Sequence, residues 1–141
     1  MASISLTAAN IKPLTGAISR RGTAGATLTP GAFVYLDGAN GWKLADADAV
    51  ASAQGRGVVV ADDSGSTSFA SGAVVDIVVF GPVAGYTGMT VGGAVFNSVT
   101  AGDLDQTAPA LAGDFPFAAG WAESATVLFV QPQISVPVVN S

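Results

Sequence analysis

Apolar positions in this chain fall in short runs broken by glycine, proline and clusters of Asp, Asn and Ser, with almost no helical period. That pattern predicts strands joined by turns. Ile4-Ser5-Leu6-Thr7 alternates and predicts one short strand. Residues 32–36 predict a strand that reverses through Asp37-Gly38-Ala39-Asn40-Gly41, residues suited to left-handed backbone angles, into a return strand at Trp42-Lys43-Leu44. Tyr35 and Trp42 are expected to pair across this hairpin. Residues 46–53 are alanine-rich and predict one or two helical turns, with Asp46 or Asp48 as N-cap and Gly55 as the stop. A short buried strand is expected at 57–61, then a polar turn at 62–66. The longest strand is predicted at 73–80. It is apolar on both faces apart from Asp76, as a strand between two layers would be, and Gly81-Pro82 is expected to end it. Turn-rich residues 83–90 lead to a strand at 94–96. Residues 104–114 predict a loop, and Phe115 and Phe117 bring aromatics back to the core. Strands are expected at 120–123 and 125–130, before a tail held extended by Pro132 and Pro137. The fold class is all-β: a small antiparallel β-sandwich or barrel with an extended N-terminal arm and little helix.

A weak internal repeat accompanies the layout. Gly31-Ala32-Phe33-Val34 recurs as Gly93-Ala94-Val95-Phe96, each preceded by a Thr-apolar pair (Thr27-Leu28, Thr90-Val91), and Gly57-Val58-Val59 recurs as Gly120-Trp121-Ala122. Each half would then be a hairpin, a connection and a short buried strand.

Charge changes the picture at the N-terminus. All ten acids lie at Asp37 or beyond, while Lys12, Arg20 and Arg21 give the first 36 residues a net +3 in a chain of net −5. Residues 1–26, interrupted by Pro13, Gly16, Gly22 and Gly25, are therefore expected to form an arm reaching toward a negative surface. Residues 27–141 form a single β-rich domain with an extended tail. The overall acidity argues against nucleic-acid binding, which needs a basic footprint. No apolar run is long enough for a membrane-spanning helix, and the opening residues lack a secretory pattern. Half the residues are hydrophobic and only 11% are charged, which fits either a tightly wound β-domain with few long surface side chains or, the favoured reading, surface covered by other subunits.

Catalytic chemistry is hard to assemble from these residues. With no histidine and no cysteine, Ser-His-Asp and Cys-His arrangements and the usual zinc sites are out. Asp62-Asp63 with Ser64 and Ser66, Asp46 with Asp48, and Asp103 with Asp105 are better explained as turn formers than as calcium ligands or an acid–base pair. No enzyme activity, metal or cofactor is expected. Trp42, Trp121, Tyr35 and Tyr86 offer an aromatic platform for sugars, with Tyr86, in the Gly85-Tyr86-Thr87-Gly88 turn, the one expected to be displayed.

The run Gly31-Ala32-Phe33-Val34-Tyr35-Leu36-Asp37-Gly38, then Trp42-Lys43-Leu44-Ala45-Asp46-Ala47-Asp48-Ala49 and Gly57-Val58-Val59-Val60, resembles the capsid decoration (head-stabilising, cementing) proteins of tailed bacteriophages. The pattern continues through Val91-Gly92-Gly93-Ala94-Val95-Phe96, Gly120-Trp121-Ala122 and Val127-Leu128-Phe129-Val130. The resemblance implies β-rich homotrimers on the outer surface of the virion head, made in the host cytoplasm, with an arm that orders on the major capsid protein. From the charge asymmetry, Lys12, Arg20 and Arg21 are expected to meet acidic groups of the shell, with Ile4 and Leu6 anchoring by strand addition. The competing expectations are a carbohydrate- or receptor-binding head-fibre or adhesin module, and a ring-forming tail-tube or spike subunit.

Overall fold

The computed structural model describes residues 4–39 and 41–141, so the first three residues of the expected arm and Asn40 of the hairpin turn lie outside it. The strands are β1 (Ser5–Leu6), β2 (Lys12–Pro13), β3 (Ile18–Ala24), β4 (Phe33–Leu36), β5 (Gly41–Leu44), β6 (Gly57–Val59), β7 (Val74–Ala84), β8 (Tyr86–Thr87), β9 (Ala94–Asn97), β10 (Leu104–Asp105), β11 (Ala118–Ala122) and β12 (Val127–Val130). A single turn of α-helix, α1 (Val50–Ala53), and a 3₁₀ turn at Ala8–Asn10 complete the elements. The protein is all-β with little helix.

Strand pairing divides the molecule into two units sharing β7. In the first, the N-terminal part of β7 pairs with β3, β3 with β5 in parallel, β5 with β4, β4 with β6, and β6 again with β7. This ring is a closed five-stranded barrel filled by Leu28, Val34, Trp42, Val59, Phe69 and Ile77. In the second, the C-terminal part of β7 pairs with β12, β12 with β11, β11 with β9 and β9 with β10. One place stays open between β10 and β8, and β1 takes it. Leu6 pairs with Tyr86 of β8, and the Ile4 amide donates to the Leu104 carbonyl of β10 at 2.8 Å.

A second cluster joins the units. Phe33, Val58 and Val78, pointing away from the first barrel, pack with Ile11, Val83, Tyr86, Val95, Phe117 and Leu128. Strands β4, β6 and β7 thus bury residues on both faces, which is why their sequences read as near-continuous apolar runs.

The repeat is real, in a corrected register. The turn Thr29-Pro30-Gly31-Ala32, with Gly31 at φ 91°, launches β4, and the turn Thr90-Val91-Gly92-Gly93, with Gly92 at φ 80°, launches β9. Gly31 therefore corresponds to Gly92 rather than to Gly93. Beyond the turns, Val34 faces Gly57 and Val95 faces Gly120. A Cβ on Gly57 would collide with the Val78 carbonyl oxygen, and one on Gly120 with that of Phe129. Both glycines let a neighbouring strand approach closely at equivalent points.

Several local expectations are corrected. Strand β7 does not stop at Gly81-Pro82 but bends there, with Gly81 at φ 111°, and exchanges β3 and β6 for β2 and β12. The Pro82 carbonyl accepts from the Leu14 amide at 2.9 Å, so the missing N–H lies on that side and the β12 ladder is intact. Neither Asp46 nor Asp48 caps α1: Ala49 is the N-cap, and Asp46 Oδ1 instead accepts from the Asp48 amide at 3.1 Å. Across the β4–β5 hairpin Tyr35 faces Lys43 while Trp42 faces Leu36, so Tyr35 and Trp42 lie on opposite faces of the ladder.

The largest correction concerns the lead-in. From residue 4 onward it is extended but does not stand off as a separate arm. Ile11 is fully buried, β2 and β3 run along β7, and β1 closes the second unit. The physical reason is unpaired backbone: without these strands one edge of β7 and the β8–β10 gap would leave main-chain donors and acceptors without partners.

Candidate functional site

Of the residues expected to grip an external surface, Ile4 and Leu6 lie at β1 beside β8 and β10, and the three cations lie on strands that run along the shared strand β7. Ile4 is half-buried against the joint core, and Leu6 is partly exposed beside the Gly31 turn. Their main-chain groups are engaged within the chain, so strand addition through them is already satisfied in cis.

The three cations follow on β2 and β3. Lys12 Nζ lies 3.5 Å from the Asp62 carbonyl oxygen. Arg21 Nε donates to Asp76 Oδ1 at 3.1 Å, and this hydrogen bond and charge raise the guanidinium's pKa from its ordinary value. Lys12 and Arg21 share a cleft of about 280 Å³ with Asp62, Asp63 and Asp76. The basic strip is thus partly neutralised by the domain's own acids, against the expectation that it points away from them. Arg20 is exposed and has no ion pair or hydrogen bond among the described residues. It sits where β3 has a free flank: β5 pairs only with Thr23 and Ala24, and among the described residues no strand lies along the outer edge of residues 18–22.

The acidic groupings act as turn formers. Asp62 Oδ1 accepts from Ser64 Oγ at 2.7 Å and from the Ser66 amide at 3.0 Å, bonds that lower its pKa. Asp105 Oδ1 accepts from the Thr107 amide at 2.8 Å. Asp37 Oδ1 takes the amides of Ala39 and Gly41 and Oδ2 pairs with Lys43 Nζ at 2.9 Å, holding the carboxyl below its usual range. Burial lifts Asp46 above that range. Among the described residues no group of three or more Asp and Glu side chains is placed to hold a metal ion.

The aromatic expectation reverses. Tyr86 is 1% exposed, its hydroxyl donates to the Gly31 carbonyl at 3.0 Å, and burial pushes its phenol pKa well above the ordinary value. The displayed aromatics lie where β11, β12 and β7 adjoin. Trp121 stacks on Phe129 with ring centroids 5.1 Å apart, and Phe129 meets Phe80 edge-on at 5.2 Å. Trp121 and Phe80 are exposed, as is Ile18, which faces Phe80 across the β3–β7 ladder. Phe80, Trp121 and Phe129 were legible as strand positions, whereas Ile18 fell in the expected arm, and which faces they share depends on pairing between β11, β12, β7 and β3.

No protein-family model matches the chain, and no curated protein is similar enough to count as a relative.

Proposed function

We propose that this chain is a structural virion protein that binds the outer surface of a phage capsid as a homo-oligomer and stabilises the head. The observation that carries the reading is the surface. Large apolar side chains stand exposed on β3, β7, β11 and the tail of a protein with only 11% charged residues, the composition of a subunit whose surface is covered in an assembly. The likeness of the Gly31–Val60 pattern to decoration proteins points the same way. Shell contact is assigned to the free edge of β3 rather than to a detached arm. An extended segment of the major capsid protein pairs along residues 18–22 while its acidic groups meet Arg20, with Lys12 and Arg21 on the flanks. Binding that bridges shell subunits stabilises the assembled state by mass action.

The test is co-sedimentation with undecorated heads. Arg20→Glu is expected to weaken binding about tenfold at low salt, by replacing attraction with repulsion, and the difference should shrink as ionic strength rises. Binding unchanged by Arg20→Glu removes β3 from the contact.

The glycan-binding alternative loses Tyr86, which is buried, and rests now on the display of Trp121. It predicts glycan-array binding that is lost on Trp121→Ala.

A further inference from the structure

The C-terminal tail is not a loose end. Beyond β12 it is clamped at both ends. The Gln133 amide donates to the Ala118 carbonyl at 3.0 Å, and Gln133 Oε1 accepts from the Ala118 amide at 2.8 Å. At the far end the Asn140 amide donates to the Asp114 carbonyl at 2.8 Å, the Asn140 carbonyl accepts from Gly113 at 3.0 Å, and Asn140 Nδ2 donates to the Pro109 carbonyl at 2.9 Å. Between the clamps Pro137 is buried against the domain, while Ile134, Val136 and Val138 are 92%, 63% and 80% exposed. Leu111, whose carbonyl accepts from the same Asn140 side chain, adds to the patch at 73% exposure. The backbone is thus held in place while its aliphatic side chains face solvent, an arrangement that costs free energy in an isolated chain.

We propose that this aliphatic rail docks on the aromatic stripe of a second copy of the chain. Three observations select that occupant. The rail spans on the order of 10 Å from Ile134 to Val138. The stripe from Trp121 through Phe129 to Phe80 advances by ring separations of 5.1 Å and 5.2 Å across three adjacent strands, a matching length. Neither segment contributes a charge of its own: residues 131–141 contain no ionisable side chain and the stripe with Ile18 has none, although the chain as a whole is −5, and the charges bordering the rail are of opposite sign, Arg56 on the Gln133 carbonyl and Asp114 on the Leu111 amide. Like-charge repulsion between copies is therefore directed away from the contact. The rail with Leu111 offers on the order of 500 Å², a large share of the roughly 800 Å² per partner of a standard stable interface. Because rail and stripe are different surfaces of one chain, the contact closes either as a two-fold pair or as a small ring. The inference deepens the homo-oligomeric part of the proposed function and assigns its interface.

The experiment uses two full-length variants, Ile134→Asp/Val138→Asp on the rail and Phe80→Asp on the stripe, with masses measured by analytical ultracentrifugation. All these positions are exposed, and a melting temperature near that of the parent protein shows that each variant is folded. The parent protein is expected to be an oligomer at micromolar concentration. Each variant alone should associate at least about 100-fold more weakly, the loss that two buried aliphatics or one aromatic would carry. Mixed in equal amounts, the variants should form a heterodimer, because the intact rail of one meets the intact stripe of the other. A monomeric parent protein, a rail variant that keeps the parent mass, or a mixture that fails to associate would overturn the proposal. Should Phe80→Asp fail to fold, Trp121→Asp, at the other end of the stripe and away from residues 18–22, replaces it in the same mixing experiment. Co-sedimentation of the monomeric variants with undecorated heads judges shell binding separately, so the two readings fail independently.

Discussion

At the scale of single residues, Tyr86 shows how one side chain holds two repeats together. It belongs to the second unit, yet its hydroxyl satisfies the carbonyl of Gly31 in the turn that opens the first hairpin. Tyr86→Phe would leave that buried carbonyl without a partner. The expected loss is about 1–3 kcal/mol, read as a lowered midpoint in urea with an unchanged slope. The same hydroxyl sets a pH dependence. Its pKa is raised in the folded state, so above the ordinary tyrosine value of about 10 the unfolded chain releases a proton that the folded chain retains. Stability is therefore fully present below about pH 10 and falls as pH rises beyond it. Tyr86 phenolate absorbance should appear only together with loss of the fold. Composition gave no hint of this role. A tyrosine between two glycines looks like a displayed turn residue, and only the packing of β8 under β1 places it inside.

Among elements, the glycine pair Gly57 and Gly120 carries the repeat more firmly than the apolar residues around it. Each lies where the next strand's carbonyl would touch a Cβ, and Gly120 in addition has φ 153°, an angle that side-chain-bearing residues rarely adopt. Gly57→Ala and Gly120→Ala should each destabilise by about 2–4 kcal/mol, with Gly120→Ala the worse of the two, measured by chemical denaturation. The opening strand makes a second test. Deleting residues 2–7 removes β1, opens the β8–β10 gap and uncovers part of the joint core. The melting temperature should fall by roughly 5–10 °C, the scale of a loss of about 2 kcal/mol. A free-standing arm would leave it unchanged. Local pattern was enough to find β1, β4, β5 and β12 and the hairpin between β4 and β5. It could not show that β7 continues through Pro82, because whether a missing N–H matters depends on which side of the strand the partner lies.

For the whole molecule, a closed barrel and a second sheet on one shared strand explain why so few charges suffice. Strands β4, β6 and β7 bury residues on both faces, so their sequences need little polar character, and most of the ten acids are left to turns, Asp76 of β7 being the exception that pairs with Arg21. The stripe and the tail, where exposed apolar side chains are grouped, are then informative rather than incidental. The segregation of charge along the chain misleads at this scale. Lys12 and Arg21 are near the N-terminus in sequence but beside Asp62 and Asp76 in space, since β2 and β3 run back along β7.

By itself the sequence determined the all-β class, most strand positions, the repeat of hairpin and buried strand, and the absence of the residues that histidine- or cysteine-based catalysis requires. These follow from side-chain type and local spacing, which act over a few residues. Tertiary structure alone decided that the lead-in completes the fold, that Tyr86 is inside and Trp121 outside, and that the tail is clamped with its aliphatics outward. Each of those depends on which distant strands pair and in what register, and a one-residue change of register moves a side chain from core to solvent.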